Sequence, residues 1–499
     1  LVLLAVALSA SSENLLSETV TQSAENPIYL TFVIHFDPLP APGGQVLRQG
    51  YERERDNLAW LADLFDKIER TKGPDFVPKL TLELGGDHAE YYSEDPVGLA
   101  LLKRLRAKGH SLGTHFHSNY KAGPHLWPDG RSQNTPEMRR RVTTDHIKAV
   151  DALVAKIIGN ADPTAIRQAN HGITGHFIDE DLAQQMGFAF FTGGRNEVLN
   201  LFFDHDVYNP WRPATARESA GWPLAEETKG HWILVPQAPV LGAIGEHFPL
   251  PAGVPPEYTQ GMRVMVWQDL SIPAMQRKFW HLYLEWLQRQ KSTNPTDKRV
   301  WVFGWTEHTN NLFADDNRYG NNRNLRDEVR QYVFWLNENF INKRTSEGKL
   351  IAQYATAETV MKEFRAWEVA HPGESSFSYS ARTRDWSVYP YQLKGLTREL
   401  MYAHYEQEIT TFRAQGVNAH KLLKTNGRNW VYQNGRVMST RPTWPIYLLW
   451  SDAGDRTIDF SGVLSGTVRC VAGRSGAEIA HETAALRVSE EPIICTTRP

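Results

Sequence analysis

Cysteine is nearly absent from this chain: Cys470 and Cys495 are the only two in 499 residues. Two thiols cannot build a Cys-rich zinc site, and neither has a neighbouring helper of the kind a thiol nucleophile needs. They are either one disulfide, as exported proteins carry, or two buried free thiols. Long apolar runs are missing too. Residues 1–10 (LVLLAVALSA) are apolar and uncharged but too short to cross a bilayer. Followed by polar SSENLLSETVTQSAEN, they read as the apolar core of a secretory signal, so the protein is expected to be secreted, or at the cell surface or in the periplasm. A basic excess is also lacking: the formal net charge is −3, which leaves no electrostatic footprint for nucleic acid. There is no GxxxxGK[ST] phosphate loop and no Gly-x-Ser-x-Gly elbow, which disfavours P-loop nucleotide chemistry and a serine esterase of the α/β-hydrolase kind.

What is present is an ordinary globular composition, 41% hydrophobic and 22% charged, long enough for two or three domains. The 16 Trp and 18 Tyr suit either sugar stacking or a large core. Residues 28–36 (IYLTFVIHF) form an apolar, β-branched run typical of a strand buried on both faces. Helical and strand patterns then alternate: helices over 51–70, 97–107, 136–158, 273–290 and 324–342, strands over 79–84 (KLTLEL), 111–117, 165–168, 189–192, 232–236, 300–305 and 350–354. That alternation predicts an α/β fold with a parallel sheet, open or closed into a barrel. The pattern changes near residue 370. A polar Ser- and Arg-rich stretch precedes a helix over 392–423, and the tail is β, with a hairpin about Asn434-Gly435. The expected division is a leader (1–26), a barrel (27–370), a linker and helix (371–425) and a small all-β sandwich (426–499).

The most informative stretch is Lys108-Gly109-His110-Ser111-Leu112-Gly113-Thr114-His115-Phe116-His117. Gly109 closes a helix as its C-cap, and the chain restarts as a strand. Residues two apart on a strand share a face, so His115 and His117 present two imidazoles together, at the C-terminal end where α/β folds place their chemistry. Two such imidazoles are either the start of a metal site or a pair of half-buried structural histidines.

Helix, then Gly-His-x-x-Gly-x-His at 109–115, resembles motif 2 of the NodB-type polysaccharide deacetylases, of the carbohydrate esterase 4 group and its relatives. The usual second histidine, four residues on, is Asn119 here; His117 takes its place, as in divergent NodB-like groups. Thr31-Phe-Val-Ile-His35-Phe36-Asp37 sits where the family's Asp-containing motif 1 does, and Ile166-Arg167-Gln-Ala-Asn170-His171-Gly172 resembles the arginine motif. Asn209-Pro-Trp211-Arg212, Gly230 to Pro236, Val302 to His308 and Ala352 to Val360 follow in the family's order, so the resemblance covers roughly 27–364. The tail resembles the last strands of β-sandwich modules in glycoside hydrolases.

The resemblance implies a distorted (β/α) barrel and metal-dependent removal of N- or O-acetyl groups from a polysaccharide or glycan. It implies a divalent ion, Zn²⁺ by its mostly N/O ligands, on Asp37, His115 and His117. His35 would be a base or a further ligand, His308 the acid that protonates the leaving group, and Arg167 the group that orients a carboxylate or stabilises charge. Asp87, Trp211 and Trp305 are candidates for substrate binding. The family's motif 1 commonly carries two adjacent acids, whereas this chain has Asp37 followed by Pro38, so either the base comes from elsewhere, from Asp87, Glu83 or Glu307, or the reaction differs from ordinary deacetylation. Two alternatives stay open. One is a glycoside hydrolase with a carboxylate pair drawn from Asp37, Glu83, Asp87, Glu246 and Glu307, set about 5–5.5 Å apart for retention or about 6.5–9.5 Å for inversion. The other is a non-catalytic extracellular carbohydrate-binding or structural protein.

Overall fold

Strand-forming residues in short, wholly buried runs separated by capped helices produce one dominant sheet. The computed structural model describes residues 25–36, 48–116, 135–175, 178–193, 209–212, 230–236, 299–309 and 325–374, positions 312 and 376, and shorter stretches within 279–290 and 414–498. The strands of the main sheet are β1 (Ile28–His35), β2 (Leu80–Leu84), β3 (Ser111–Phe116), β4 (Asn170–Gly175), β5 (Phe190–Gly193), β6 (Ile233–Pro236), β7 (Trp301–His308) and β8 (Ala352–Tyr354). Their order is β6-β5-β4-β3-β2-β1-β7, and all their ladders are parallel. β8 runs parallel to the first three residues of β1, below the point where β2 takes over that edge.

Several helices begin and end where the sequence supplies a cap. Asp95 accepts from the Val97 and Gly98 amides and Pro96 occupies the first turn of α3 (Pro96–Ala107), after α1 (Arg48–Lys72) and α2 (Gly86–Glu94). Gly109, with φ of 84°, ends it in the left-handed region as expected. Thr135 caps α4 (Pro136–Ile158), which stops at Gly159 (φ 67°). Asp162 and Pro163 open α5 (Pro163–Ala169), so residues 165–168 are helical rather than the expected strand, and β4 starts at Asn170. Further helices bounded within the described residues are α6 (Glu180–Gln185), α7 (Leu325–Asn339) and α8 (Ala357–Ala370), and the described positions within 279–290 are helical, inside the expected helix over 273–290. No helix among the described residues is long and apolar enough to cross a membrane.

The two faces of the sheet differ. Ile28, Leu30, Phe32, Ile34, Leu80, Leu82 and Leu84 point to one side, into a core shared with α1, α3 and α4 through residues such as Leu61, Phe65, Leu102 and Val150. On the other side Tyr29, Phe190, Ile233, Val235 and Val302 form a second apolar cluster with Val360, Phe364 and Trp367 of α8. β6 and β7, the two ends of the hydrogen-bonded path, thus meet in one cluster although no ladder joins them among the described residues. The sheet is therefore curled into a distorted half-barrel, as the α/β reading anticipates. Past this apolar floor, toward the C-terminal strand ends, the inner face turns polar. His35 lies opposite Glu83 on β2 and His308 on β7, Glu83 lies opposite Gly113, and His115 opposite Thr174.

The C-terminal region forms antiparallel sheets with their own core. β9 (Asn418–Thr425), β12 (Thr443–Trp450), β14 (Thr467–Ala472), β15 (Glu478–Ile479) and β17 (Ile493–Arg498) make a five-stranded sheet in the order β15-β14-β17-β12-β9. β10 (Trp430–Gln433) and β11 (Arg436–Ser439) make the hairpin about Asn434-Gly435. β13 (Arg456–Ile458) pairs with β16 (Leu486–Val488), and their Ile458, Leu486 and Val488 pack with Tyr447, Leu449 and Val468 of the larger sheet. Cys470 and Cys495 stand directly opposite one another on β14 and β17 and are joined as a disulfide. β9 replaces the last part, 418–423, of the expected helix over 392–423. Its pairing along all eight residues with the aromatic and β-branched β12 overrides the helical propensity of its Ala, Lys and Leu. The residues 392–413 of that expectation lie outside the described residues.

Gly172 tests the packing of the inner face. A Cβ there would meet the Phe190 ring at 2.4 Å, whereas at Gly113 the nearest atom, the Gly172 carbonyl oxygen, is 3.2 Å away. Gly172→Ala is expected to cost about 1–3 kcal/mol, as overpacking does, and Gly113→Ala less. Denaturant midpoints in the opposite order would contradict the register of β3, β4 and β5.

Candidate functional site

Three neighbouring strands each place one ligand-type side chain on the polar part of the inner face. His35 is the last residue of β1, Glu83 the fourth of β2 and His115 the fifth of β3. One donor atom from each lies within 4.8 Å of the others. His35 Nε2 is 3.0 Å from Glu83 Oε2, and the His35 and His115 rings stack at 4.6 Å between centroids. His308 stands edge-on to His35 at 5.2 Å. The group is almost sealed: Glu83 is 0% exposed, and His35, His115 and His308 are buried. Burial pushes the Glu83 carboxyl well above the ordinary carboxylate range, because an ionised carboxylate loses its hydration there. Two imidazoles and a carboxylate are the donor set of many divalent metal sites.

Beside this group, where β2 leads into α2, lies a second, largely buried network. His88 Nε2 is 2.8 Å from Glu54 Oε2, and its Nδ1 faces Asp87 Oδ1 at 3.4 Å. The Tyr51 hydroxyl donates to Asp87 Oδ2 (2.8 Å), and the Thr309 hydroxyl donates to Glu54 Oε2 (2.6 Å). The Gly86 amide donates to His146 Nδ1 at 2.8 Å, so the proton of that neutral ring sits on Nε2. Burial alone would lower the His88 pKa, but the two flanking carboxylates outweigh it and hold His88 at about 10. Burial likewise works against an ionised Asp87, yet His88 and the Tyr51 hydroxyl bring its carboxyl down to about 2. An imidazolium is therefore locked between two carboxylates, tying α1 and α2 to the end of β7 next to His308.

The expected site residues divide into three groups. His35, His115 and His308 come together. Asp37 and His117 lie outside the described residues, and β3 itself ends at Phe116. The others sit elsewhere. Arg167 belongs to α5, ahead of β4 and so at the opposite end of the sheet. It donates to the Asn170 carbonyl and pairs with Asp151 at 2.6 Å while lying over Phe188, which is a structural role. Trp211 is 0% exposed and bridged to Leu234, so it is core rather than a stacking platform. Trp305 faces the helix side of β7, edge-on to Phe32 at 3.7 Å and packed on Tyr332. Both tryptophans are corrected from substrate binding to packing. Asp87 already holds Tyr51 and His88, which makes it part of the internal network. Glu307 lies on the face of β7 away from His35, where its Oε1 accepts from the His308 amide. Glu83 is the central carboxyl, which the sequence offers as a possible base or one of a carboxylate pair but not as a metal ligand. Its signal is a lone acid in KLTLEL, a strand otherwise fit for burial.

No family model matches the chain, and no curated protein matches it. Among solved structures it is similar to a 4-alpha-glucanotransferase from Thermococcus litoralis, with 11% identity and a TM-score of 0.33 over 67% of this chain and 38% of that one. It is also similar to an alpha-fucosidase from Thermotoga maritima (9% identity, TM-score 0.27, 97% of this chain and 99% of that one). A third is a GH57 branching enzyme from Thermococcus kodakaraensis (10% identity, TM-score 0.28, 77% of this chain and 79% of that one). The match spans well under half of the glucanotransferase's length. TM-scores this low leave fold and chemistry to be read from the chain's own residues.

The buried imidazolium makes a signed prediction. A group whose pKa is raised on folding stabilises fully below its unfolded value and fades as pH climbs to the folded one, so the His88 contribution declines from about 6.5 to about 10. Asp87, lowered from 3.8 to about 2, contributes fully above 3.8 and fades as pH falls toward 2. The stability difference between wild type and His88→Gln should therefore be greatest between about pH 4 and 6.5, near 3 kcal/mol or more because two buried carboxylates lose their shared cation. Denaturant titrations across pH check this, and a flat difference would contradict the ionic reading of the network.

Proposed function

We propose that this chain is a carbohydrate-active hydrolase that holds a divalent cation, zinc by its donor chemistry, on His35, Glu83 and His115, and removes acyl groups from a glycan. The observation that carries the reading is the convergence of those three donors, from three adjacent strands, within 4.8 Å. The fit is chemical as well as geometric: a fully buried carboxyl is costly to ionise alone, and a bound cation offsets that cost. When bound, such a cation polarises an acyl carbonyl and lowers the pKa of a coordinated water.

The chain's own residues supply the rest. His308, edge-on to His35 at the end of β7, is placed to hand a proton to the departing hydroxyl or amine. The neighbouring network anchors the end of β7 through Thr309, whose carbonyl accepts from Asn57 Nδ2 at 2.7 Å. The substrate class follows the order of NodB-like motifs along 27–364. The Cys470–Cys495 disulfide and the apolar opening run support export as the setting.

A second reading, glycosidic-bond hydrolysis, is favoured by the contrast between Glu83 and Asp87. One carboxyl is pushed up by burial and the other drawn down to about 2 beside an imidazolium, which is how paired carboxyls divide into acid and base.

Elemental analysis of the purified wild type and a His35→Ala/His115→Ala variant, with assays on acetylated and unacetylated glycans, separates the two. The cation reading predicts near-stoichiometric divalent metal, lost in the variant together with acetate release. Glycan cleavage that survives chelation and is abolished by Glu83→Gln or Asp87→Asn would overturn it in favour of the second reading.

A further inference from the structure

We propose that Thr192 is the positioning residue for Glu83, acting across the space that Gly113 leaves open on the inner face of the sheet. This rests on the reading of Glu83 as a ligand-type carboxyl at the centre of the site. Glu83 has two oxygens with separate duties. Oε2 faces His35 Nε2 at 3.0 Å, and Oε1 accepts a hydrogen bond from the Thr192 hydroxyl.

The reach is unusual, because β5 and β2 are separated by β3 and β4 in the sheet. Two features make it possible. The sheet curls, so inner-face side chains from non-adjacent strands converge. At the level of Glu83, the inner-face position on β3 is Gly113, which presents no side chain, while Gly172 beside it on β4 lies under the Phe190 ring. A Cβ on Gly113 would lie 3.4 Å from Glu83 Cγ, so the Glu83 stem runs directly over that glycine. β5 is itself fixed at this level: the Thr174 hydroxyl donates to the Thr192 carbonyl at 2.7 Å, and Thr174 stands opposite His115. Thr192 is buried, so no water competes for the contact.

A carboxyl tied through one oxygen presents the other to its partners in a single direction. Outer hydrogen bonds of this kind typically govern ligand orientation and metal affinity by tenfold to a hundredfold. Thr192 touches neither substrate nor cation in this arrangement; it works through Glu83. Thr192→Val keeps shape and removes the donor, while Thr192→Ser keeps the donor.

The test titrates Co²⁺ into the metal-stripped full chain and follows the visible absorption bands of wild type, Thr192→Val, Thr192→Ala and Thr192→Ser. Thermal unfolding identifies any variant that has lost its fold. We expect the Val and Ala variants to bind Co²⁺ roughly 10–100-fold more weakly with shifted bands, and Ser to restore wild-type behaviour. Folded Val and Ala variants with wild-type affinity and bands would overturn the role of Thr192. Wild type that takes up no Co²⁺ would instead overturn the cation reading. Thr192 is then decided on metal-free protein labelled at histidine side chains, where the His35 signal should move in Val and Ala but not in Ser. An unmoved signal would overturn the positioning role independently.

Discussion

The arrangement at the top of this half-barrel turns on the Glu83 carboxyl, which no water reaches. A group in that position is neutral, paired or bound to a cation, and each outcome constrains what surrounds it. His35 provides the pairing, Thr192 holds the other oxygen, and Gly113 on β3 leaves the space over which the side chain runs. His115 closes the third side through its stack on His35.

The rim of the site is organised by a different kind of burial. Where Glu83 is pushed toward neutrality, the Glu54–His88–Asp87 group remains charged because its members neutralise one another. A buried ion triad of this kind is costly to assemble, and hydrophobic packing could match its stability. What it supplies here is geometry. Glu54 comes from α1, His88 and Asp87 from α2, and Thr309 from the end of β7, so one network fixes three elements against one another beside His308. The apolar floor below, with α8 packed under Tyr29 and Val302, confines polar side chains to the C-terminal half of the inner face. Parallel α/β sheets place their chemistry at that end for the same reason.

Much of the fold could be read from the sequence, because it depends on local signals. Apolar strand runs, helical periodicity and the stop at Gly109 carry the alternation, while the short helices α2 and α6 leave no comparable pattern. α5 was misread because Ala165 to Gln168 lies between a cap and a true strand, and β9 because its pairing with β12 outweighs its own propensity. The site was only half visible. Strand position marked His35 and His115, but their partner Glu83 is set by register between β1 and β2, which no local pattern specifies. Thr192 depends on the curl of the whole sheet and carries no local mark at all. The tryptophans misled by composition. Trp305 and His308 are three apart on one strand, an odd spacing that puts them on opposite faces.

The most direct test of the account is X-ray absorption at the metal edge of zinc-loaded protein, read for the identity of the ligands. Two imidazole nitrogens and one carboxylate oxygen, with loss of the carboxylate signal in Glu83→Gln and of one imidazole in His115→Ala, is the predicted result. A metal coordinated without imidazole, or a ligand set unchanged by either substitution, would contradict the assignment of His35, Glu83 and His115 as the centre of this molecule's chemistry.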